Sequence, residues 1–177
     1  MNAHLSLSRN QNDYIRGNPA GRLELIEYGD YQCPYCLNAS YVINQLMEAF
    51  PAQLCFAFRH FPIVEHHPLA MACAVAAEAA GRQGRYWDMH DLLWQHQKGL
   101  TSEGLFKLAT SLSLNMRQFR LHMQDERLGE KVMEQRGKGL EIGVLSTPTF
   151  FVNGKKYEGE LQFAGLKEAL QSGELVS

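Results

Sequence analysis

The chain has 177 residues, of which 45% are hydrophobic and 20% charged, and its formal net charge at pH 7 is −2. This length accommodates a single domain with a full core, and the composition is ordinary for a globular protein. The slight negative charge argues against binding nucleic acid or anionic membranes, because both need an excess of basic residues. No apolar run approaches the roughly 18 residues of a membrane-spanning helix, so we expect no membrane insertion.

The N-terminal segment, residues 1–20, is polar and leads into a turn-forming cluster at 17–21. It lacks the continuous apolar stretch and the small-residue cleavage site of a signal peptide. Taken as written, the sequence predicts a cytoplasmic protein, or a periplasmic one if a leader has been removed. We expect this segment to form an arm that orders on contact, or a short extra strand.

An apolar run at Leu23–Tyr28 predicts the first strand of the core. Glu27 shares the parity of Leu23 and Leu25, so its side chain points to the same face as two leucines. A carboxylate on such a face, shortly before a cysteine, is a candidate for a perturbed pKa. The pattern alone favours a simpler interpretation, in which a glutamate at the end of a strand reaches water.

The segment Cys33-Pro34-Tyr35-Cys36 follows this strand and opens a helical pattern. Cysteines at this spacing lie on one side of the first helical turn, close enough to form a disulfide. Pro34 suits the first helical position, where its missing N–H costs nothing. Cys33 then lies at or near the N-cap, where free N–H groups and the helix dipole favour a thiolate, the reactive form. The sequence thus predicts Cys33 as the nucleophile and the less exposed Cys36 as the resolving thiol.

Metal binding is the alternative interpretation of this motif, since a C-x-x-C pair is also half of many zinc sites. Cys55 and Cys73 are isolated from each other and from the first pair, and we expect both to be buried, reduced thiols. The segment His60–Pro68 holds three histidines and one glutamate, a second candidate for a metal site. Its two prolines indicate a stiff loop instead, with Pro68 at the first position of the following helix.

The rest of the chain alternates between helical and strand-like patterns. Helical spacing runs from Leu37 to Phe50, and an apolar run at 54–61 predicts a buried strand. Residues 68–143 have the pattern of successive helices.

After Gly143 the period changes. Short strands on either side of Asn153-Gly154 predict a β-hairpin, and a final amphipathic helix ends at Gly173. A strand–helix–strand start predicts a parallel strand pair with a right-handed crossover, to which the hairpin adds antiparallel strands. The sequence therefore predicts an α/β fold with a mixed sheet.

Taken together, these motifs resemble the DsbA-like thioredoxin-fold thiol–disulfide oxidoreductases over about residues 22–174. The likeness rests on Tyr28-Gly29-Asp30-Tyr31-Gln32-Cys33-Pro34-Tyr35-Cys36, on His67-Pro68 and Trp87, and on Ser146-Thr147-Pro148-Thr149-Phe150-Phe151-Val152-Asn153-Gly154. The resemblance implies a thioredoxin fold, a mixed central sheet flanked by helices, with an inserted all-helical subdomain. It implies one domain over 1–177, with a thioredoxin core at 22–66 and 144–174 and a helical insertion at 67–143.

The resemblance also implies roles for individual residues. Cys33 attacks and Cys36 resolves, while Glu27 is the family's buried acid, which exchanges a proton with the resolving cysteine. Thr147–Pro148 is implied to be a cis peptide that faces the cysteines, with the Thr147 backbone pairing with a bound substrate strand.

We expect Pro34 and Tyr35, which lie between the cysteines, to be substrate-binding residues as well. Pro-Tyr is the dipeptide known from glutaredoxins, whereas the strongly oxidising type member of the DsbA-like family has Pro-His. A less oxidising pair is therefore expected here.

We expect an enzyme that exchanges electrons with protein, peptide or small-molecule thiols and disulfides, acting as a monomer. No cofactor beyond the dithiol is expected, although electrons can be supplied by glutathione or a thioredoxin-type system. Two other classes stay open: a chaperone-like module that binds peptides beside Pro148, and a metal-binding protein that uses Cys33, Cys36 and histidines.

Overall fold

The computed structural model of the protein describes residues 7–172, so the predicted helix end at Gly173 lies outside the described residues. A sheet of five strands has the order β1-β3-β2-β4-β5. The strands are β1 (Ile15–Gly17), β2 (Leu23–Gly29), β3 (Leu54–His60), β4 (Thr149–Val152) and β5 (Lys155–Lys156). The helices are α1 (Pro34–Ala49), α2 (Ala70–Gly81), α3 (Tyr86–Gln95), α4 (Ser102–Ser111), α5 (Met116–Met123), α6 (Glu126–Glu141) and α7 (Phe163–Ser172), with a 3-10 turn at Gln97–Gly99.

The sheet is mixed, as the sequence predicts. β2 and β3 pair in parallel and are joined through α1, whereas β4 runs antiparallel to both β2 and β5. The predicted hairpin turns at Asn153 (φ 46°) and Gly154 (φ 83°), and two successive positive φ values are those of a type I′ turn. The N-terminal segment supplies the short extra strand, because β1 pairs antiparallel with β3.

Side chains of β2 enter two hydrophobic clusters on opposite faces of the sheet. Leu23 and Leu25 belong to the larger cluster, and Ile26 and Tyr28 belong to the smaller one. This alternation is that of a strand covered on both faces, and it leaves Glu27 on the face of the larger cluster.

Five helices, α2 to α6, lie between β3 and β4 in the chain. α2 is buried on nearly all sides, which its many alanines allow. The side-chain oxygens of Thr101, Asn115 and Asp125 cap α4, α5 and α6, respectively. The division into a core at 22–66 and 144–174 and an insertion at 67–143 stays a prediction. Within residues 7–172, no helix has the length and apolar character needed to cross a membrane.

The predicted start of α2 at Pro68 is wrong, because the helix begins at Ala70. The N–H of Leu69 donates to Gln32 Oε1 (2.6 Å), and that of Ala70 donates to the His67 carbonyl (3.1 Å). These two hydrogen bonds hold Pro68 in a turn before the helix. The turn joins the start of α2 to the loop that precedes α1.

Candidate active site around Cys33 and Cys36

Cys33 is the N-cap of α1, with φ −73° and ψ 120°, and Pro34 occupies the first helical position. Its N–H donates to the Asp30 carbonyl (3.0 Å), and its own carbonyl accepts from the N–H groups of Cys36 (3.1 Å) and Leu37 (3.2 Å). Both cysteines are free thiols. Cys33 keeps 4% of its surface exposed and Cys36 none, so the prediction that Cys36 is the less exposed thiol is confirmed.

The two thiols have opposite pKa shifts. A hydrogen bond from the Cys36 side chain lowers the pKa of Cys33 to about 5 against the opposing effect of burial, and Thr147 and the backbone N–H groups of Cys36 and Tyr35 lower it further. Burial raises the pKa of Cys36 well above its ordinary value, and its hydrogen bond to Cys33 adds to that effect. At neutral pH the pair therefore consists of a thiolate at Cys33 and a thiol at Cys36.

The loop before β4 faces this pair. The Thr147–Pro148 peptide bond is cis, and the Thr147 carbonyl oxygen lies 3.4 Å from Cys33 Sγ. A cavity of about 540 Å³, which we call the Pro148 cavity, opens beside it. Tyr35 and Leu145 are among its lining residues, with 69% and 82% of their surfaces exposed. The structure thus brings the predicted substrate-binding residues Thr147, Pro148 and Tyr35 together near Cys33, whereas Pro34 is exposed at the helix start.

Glu27 is buried, with 1% of its surface exposed, so the pattern-based interpretation that it reaches water is wrong. Its Oε1 atom has no hydrogen-bond partner among the described residues. Burial raises the pKa of Glu27 well above its ordinary value, the charge of Cys33 adds to this, and a hydrogen bond with Cys36 opposes it. A carboxyl group that holds its proton beside Cys36 can exchange that proton with the thiol.

A Glu27→Gln variant is expected to be more stable than the wild type at pH 6, because the raised pKa of Glu27 makes its ionisation unfavourable in the folded state and an amide has no charge to bury. Because the folded pKa lies well above the unfolded value of 4.5, unfolding releases a proton above pH 4.5 and stability falls as pH rises. Below pH 4.5 both states keep the proton, so the variant and the wild type should converge. Urea unfolding from pH 4 to pH 8 measures this.

Glu48→Gln, which changes an exposed carboxylate on α1, is the matched control for this titration. A Glu27→Gln variant with the same pH dependence of stability as the wild type would contradict the raised pKa of Glu27.

Asp30 is a site residue whose role the sequence reasoning missed. Its buried carboxylate accepts from the N–H groups of Gln32 (2.8 Å) and Ile63 (2.8 Å) and pairs with His67 Nδ1 (2.7 Å). It thereby joins the segment before Cys33 to the loop between β3 and α2. The available signal was a charged residue directly after a strand buried on both faces, since buried carboxylates need partners.

Two of the three histidines that suggested a metal site, His60 and His67, have separate partners. His67 pairs with Asp30, His60 Nε2 lies 3.2 Å from Glu78 Oε1, and Glu65 lies 3.5 Å from Arg136. Over residues 7–172, no group of three or more His, Cys, Asp and Glu side chains is arranged to hold a metal ion. The structure therefore offers no ready ligand set for metal binding within that range.

Three comparisons with known proteins bear on this site. Residues 9–172 match the model of the family described as thioredoxin. A protein from Salinispora arenicola named Na(+)/H(+) antiporter NhaA 1 is 38% identical over 160 residues, which are 90% of this chain and 24% of that protein. The chain thus spans about a quarter of the length of the curated relatives it matches.

Solved structures share the fold over nearly the whole chain. A thioredoxin-like oxidoreductase from Silicibacter pomeroyi DSS-3 superposes with a TM-score of 0.83 at 25% identity, covering 95% of each chain. Alpha-DsbA1 from Wolbachia pipientis also has a TM-score of 0.83, at 18% identity, covering 94% of this chain and 92% of its own. The fold is therefore the thioredoxin fold in the form found in DsbA-like proteins.

Proposed function

This chain belongs to the thioredoxin family, and from that premise we propose that it is a thiol–disulfide oxidoreductase that works through Cys33 and Cys36. The observation that carries the proposal is the N-cap position of Cys33, where the Cys36 thiol and backbone N–H groups lower its pKa to about 5. A thiolate at neutral pH with a second thiol one helical turn away has the chemistry for disulfide exchange.

The exchange has two steps. The Cys33 thiolate attacks one sulfur of a substrate disulfide, the substrate S–S bond breaks, and a mixed disulfide forms while one substrate thiolate leaves. Cys36 then loses its proton to solvent, in an exchange that the Glu27 carboxyl can relay by releasing its own proton first, and attacks Cys33 Sγ. The second substrate thiolate leaves, so the substrate gains two electrons and the chain ends with a Cys33–Cys36 disulfide. The same steps in reverse oxidise a dithiol.

Peptide and protein thiols or disulfides are the proposed substrates. The Pro148 cavity supports this, because exposed Tyr35 and Leu145 offer apolar surface in a cavity that Thr147 also lines, and the Thr147 carbonyl oxygen lies 3.4 Å from Cys33 Sγ. A substrate held against that backbone would present its disulfide to Cys33. We propose action as a monomer.

The direction of electron flow follows the compartment. In a reducing cytoplasm we expect net reduction of substrates, with glutathione or a thioredoxin-type system returning electrons to the pair, and in a periplasm we expect net oxidation. No cofactor beyond the dithiol is part of this proposal. Some relatives are named as Na(+)/H(+) antiporters, but this chain matches only about a quarter of the length of those proteins. We therefore propose no ion transport for this chain.

Two measurements on the wild type test the proposal. Insulin with excess dithiothreitol reports catalysed disulfide reduction, and equilibration with a series of glutathione buffers gives the redox equilibrium of the pair. We expect turnover and a single two-electron transition. A chain that leaves the insulin rate unchanged, and whose Cys33–Cys36 pair does not equilibrate with glutathione, is not an oxidoreductase.

Peptide binding without redox chemistry is the second candidate, favoured by the same apolar surface of the Pro148 cavity. The double variant Cys33→Ser/Cys36→Ser separates the two. A binding module would still suppress the aggregation of an unfolded protein in this variant, whereas an oxidoreductase would lose its activity.

A further inference from the structure

The side chain of Gln97, a residue that follows α3, contacts the backbone of the segment that leads into α1. Its Nε2 group donates to the backbone carbonyls of Tyr31 and Cys33, each at 2.9 Å. Gln97 is half-buried and begins the 3-10 turn after α3. The side-chain amide has two N–H hydrogens, so these two acceptors use its full donor capacity and fix its orientation.

Tyr31 has a second anchor besides Gln97. Its hydroxyl lies 2.8 Å from His90 Nδ1, and the Trp94 indole N–H donates to His90 Nε2 (3.0 Å). Burial lowers the pKa of His90 well below its ordinary value, so the ring is neutral. An indole can only donate, so Nε2 accepts and Nδ1–H donates to Tyr31. The Tyr31 ring is therefore held independently of its carbonyl group.

Cys33 makes no side-chain hydrogen bond that caps the first turn of α1. An ordinary N-cap side chain accepts from N–H groups of the first turn and holds the cap residue in place, but Cys33 makes no such neutral side-chain cap bond. The N–H groups of Tyr35 and Cys36 stabilise the thiolate form of this sulfur, together with the Cys36 side chain and Thr147. Pro34 has no N–H to add. The backbone conformation of Cys33 therefore rests on contacts of its own peptide groups, of which the Gln97 bond is one.

We propose that Gln97 is a positioning residue for Cys33, which holds the Cys33 carbonyl so that the sulfur stays against the N–H groups of the first helical turn. Gln97 acts through the backbone and does not touch the sulfur. The proposal extends the proposed function and rests on it, since it assigns to Gln97 the positioning of the nucleophilic sulfur. It assigns to the segment after α3 a part in the reactivity of a cysteine that lies 64 positions away in the chain.

The test is the pH dependence of Cys33 alkylation by iodoacetamide, with peptide mass spectrometry to locate the label. Gln97→Leu removes both donors and keeps much of the side-chain volume. We expect its rate at pH 5 to fall roughly threefold, because a Cys33 carbonyl that Gln97 no longer holds lets the sulfur move away from the N–H groups that stabilise the thiolate. At pH 8, where Cys33 is ionised in both proteins, the two rates should agree. Gln97→Ala should change the profile in the same direction.

Gln83→Leu is the matched control, because the half-buried Gln83 also makes two backbone contacts, to the N–H (2.8 Å) and the carbonyl (3.3 Å) of Asn115. Its alkylation profile should be that of the wild type. The proposal is overturned if Gln97→Leu keeps the wild-type profile, or if Gln83→Leu shifts it as much as Gln97→Leu does. Alkylation needs no disulfide substrate, so a wild type that fails to reduce insulin would remove the proposed function without deciding the role of Gln97.

Discussion

Replacing Cys33 with serine is expected to reduce disulfide exchange to the uncatalysed rate, whereas Cys36→Ser is expected to stop the reaction at a mixed disulfide. With a pKa of about 5, the Cys33 sulfur is predominantly thiolate at pH 7, and a serine hydroxyl supplies no comparable nucleophile. Cys36→Ser keeps a donor to Cys33 and removes only the thiol that attacks second. The first variant therefore loses attack, and the second loses resolution.

Glutathione disulfide is the probe, and mass spectrometry under non-reducing conditions is the measurement. Cys36→Ser should carry one stable glutathione adduct at Cys33, and Cys33→Ser should carry none. Cys55→Ala is the control, since Cys55 lies in β3 and burial raises the pKa of its thiol. Wild-type turnover by Cys36→Ser, or an adduct at Cys36 in Cys33→Ser, would reverse or remove the two assignments.

Asp13→Ala is expected to lower the free energy of unfolding by about 3–5 kcal/mol, because it leaves a buried guanidinium without its counter-ion. Arg59 Nε and Nη2 donate to the two carboxylate oxygens of Asp13 at 2.9 and 2.7 Å, and the side chains are 6% and 1% exposed. The remaining partners of Arg59 are the neutral Tyr28 hydroxyl (3.2 Å) and the Ser8 carbonyl (2.9 Å).

Two further variants show whether the charge is the cause. Arg59→Met in the Asp13→Ala background removes the unpaired cation, so the double variant should recover part of the lost stability. Glu103→Ala breaks an ion pair with Lys107 whose side chains are 78% and 74% exposed, and it should unfold near the wild-type urea concentration. A double variant less stable than Asp13→Ala would mean that packing of the arginine, not its charge, dominates this site.

The features predicted correctly from the sequence are those that neighbouring residues determine. The helix start at Pro34, the positions of Cys33 and Cys36 within it, and the Asn153-Gly154 turn all follow from local backbone preferences. The largest cause of the lowered pKa of Cys33 is also local, because it is the Cys36 side chain, whereas Thr147 adds a contribution from a distant part of the chain. No histidine is among the main causes of this pKa.

The features that the sequence pattern missed depend on segments distant in the chain. Glu27 is buried because β3 and β4 flank β2 and the larger cluster covers that face, none of which the parity of one strand can reveal. Pro68 lies before its helix because Gln32 takes the N–H of Leu69. Gln97 left no signal, since its partners are backbone carbonyls, which every residue has.

Both outer strands of the sheet are very short. β1 has three residues and ends at Gly17, and β5 consists of Lys155 and Lys156 alone. Short edges and lysine side chains discourage the pairing of one sheet with another, which is how β proteins resist aggregation. If the protein acts on unfolded chains, as proposed, it meets many extended segments that could add a strand to its sheet. The edges give such segments little backbone to pair with, so under the proposed function they would not compete with the Thr147 backbone beside Cys33 for a substrate chain.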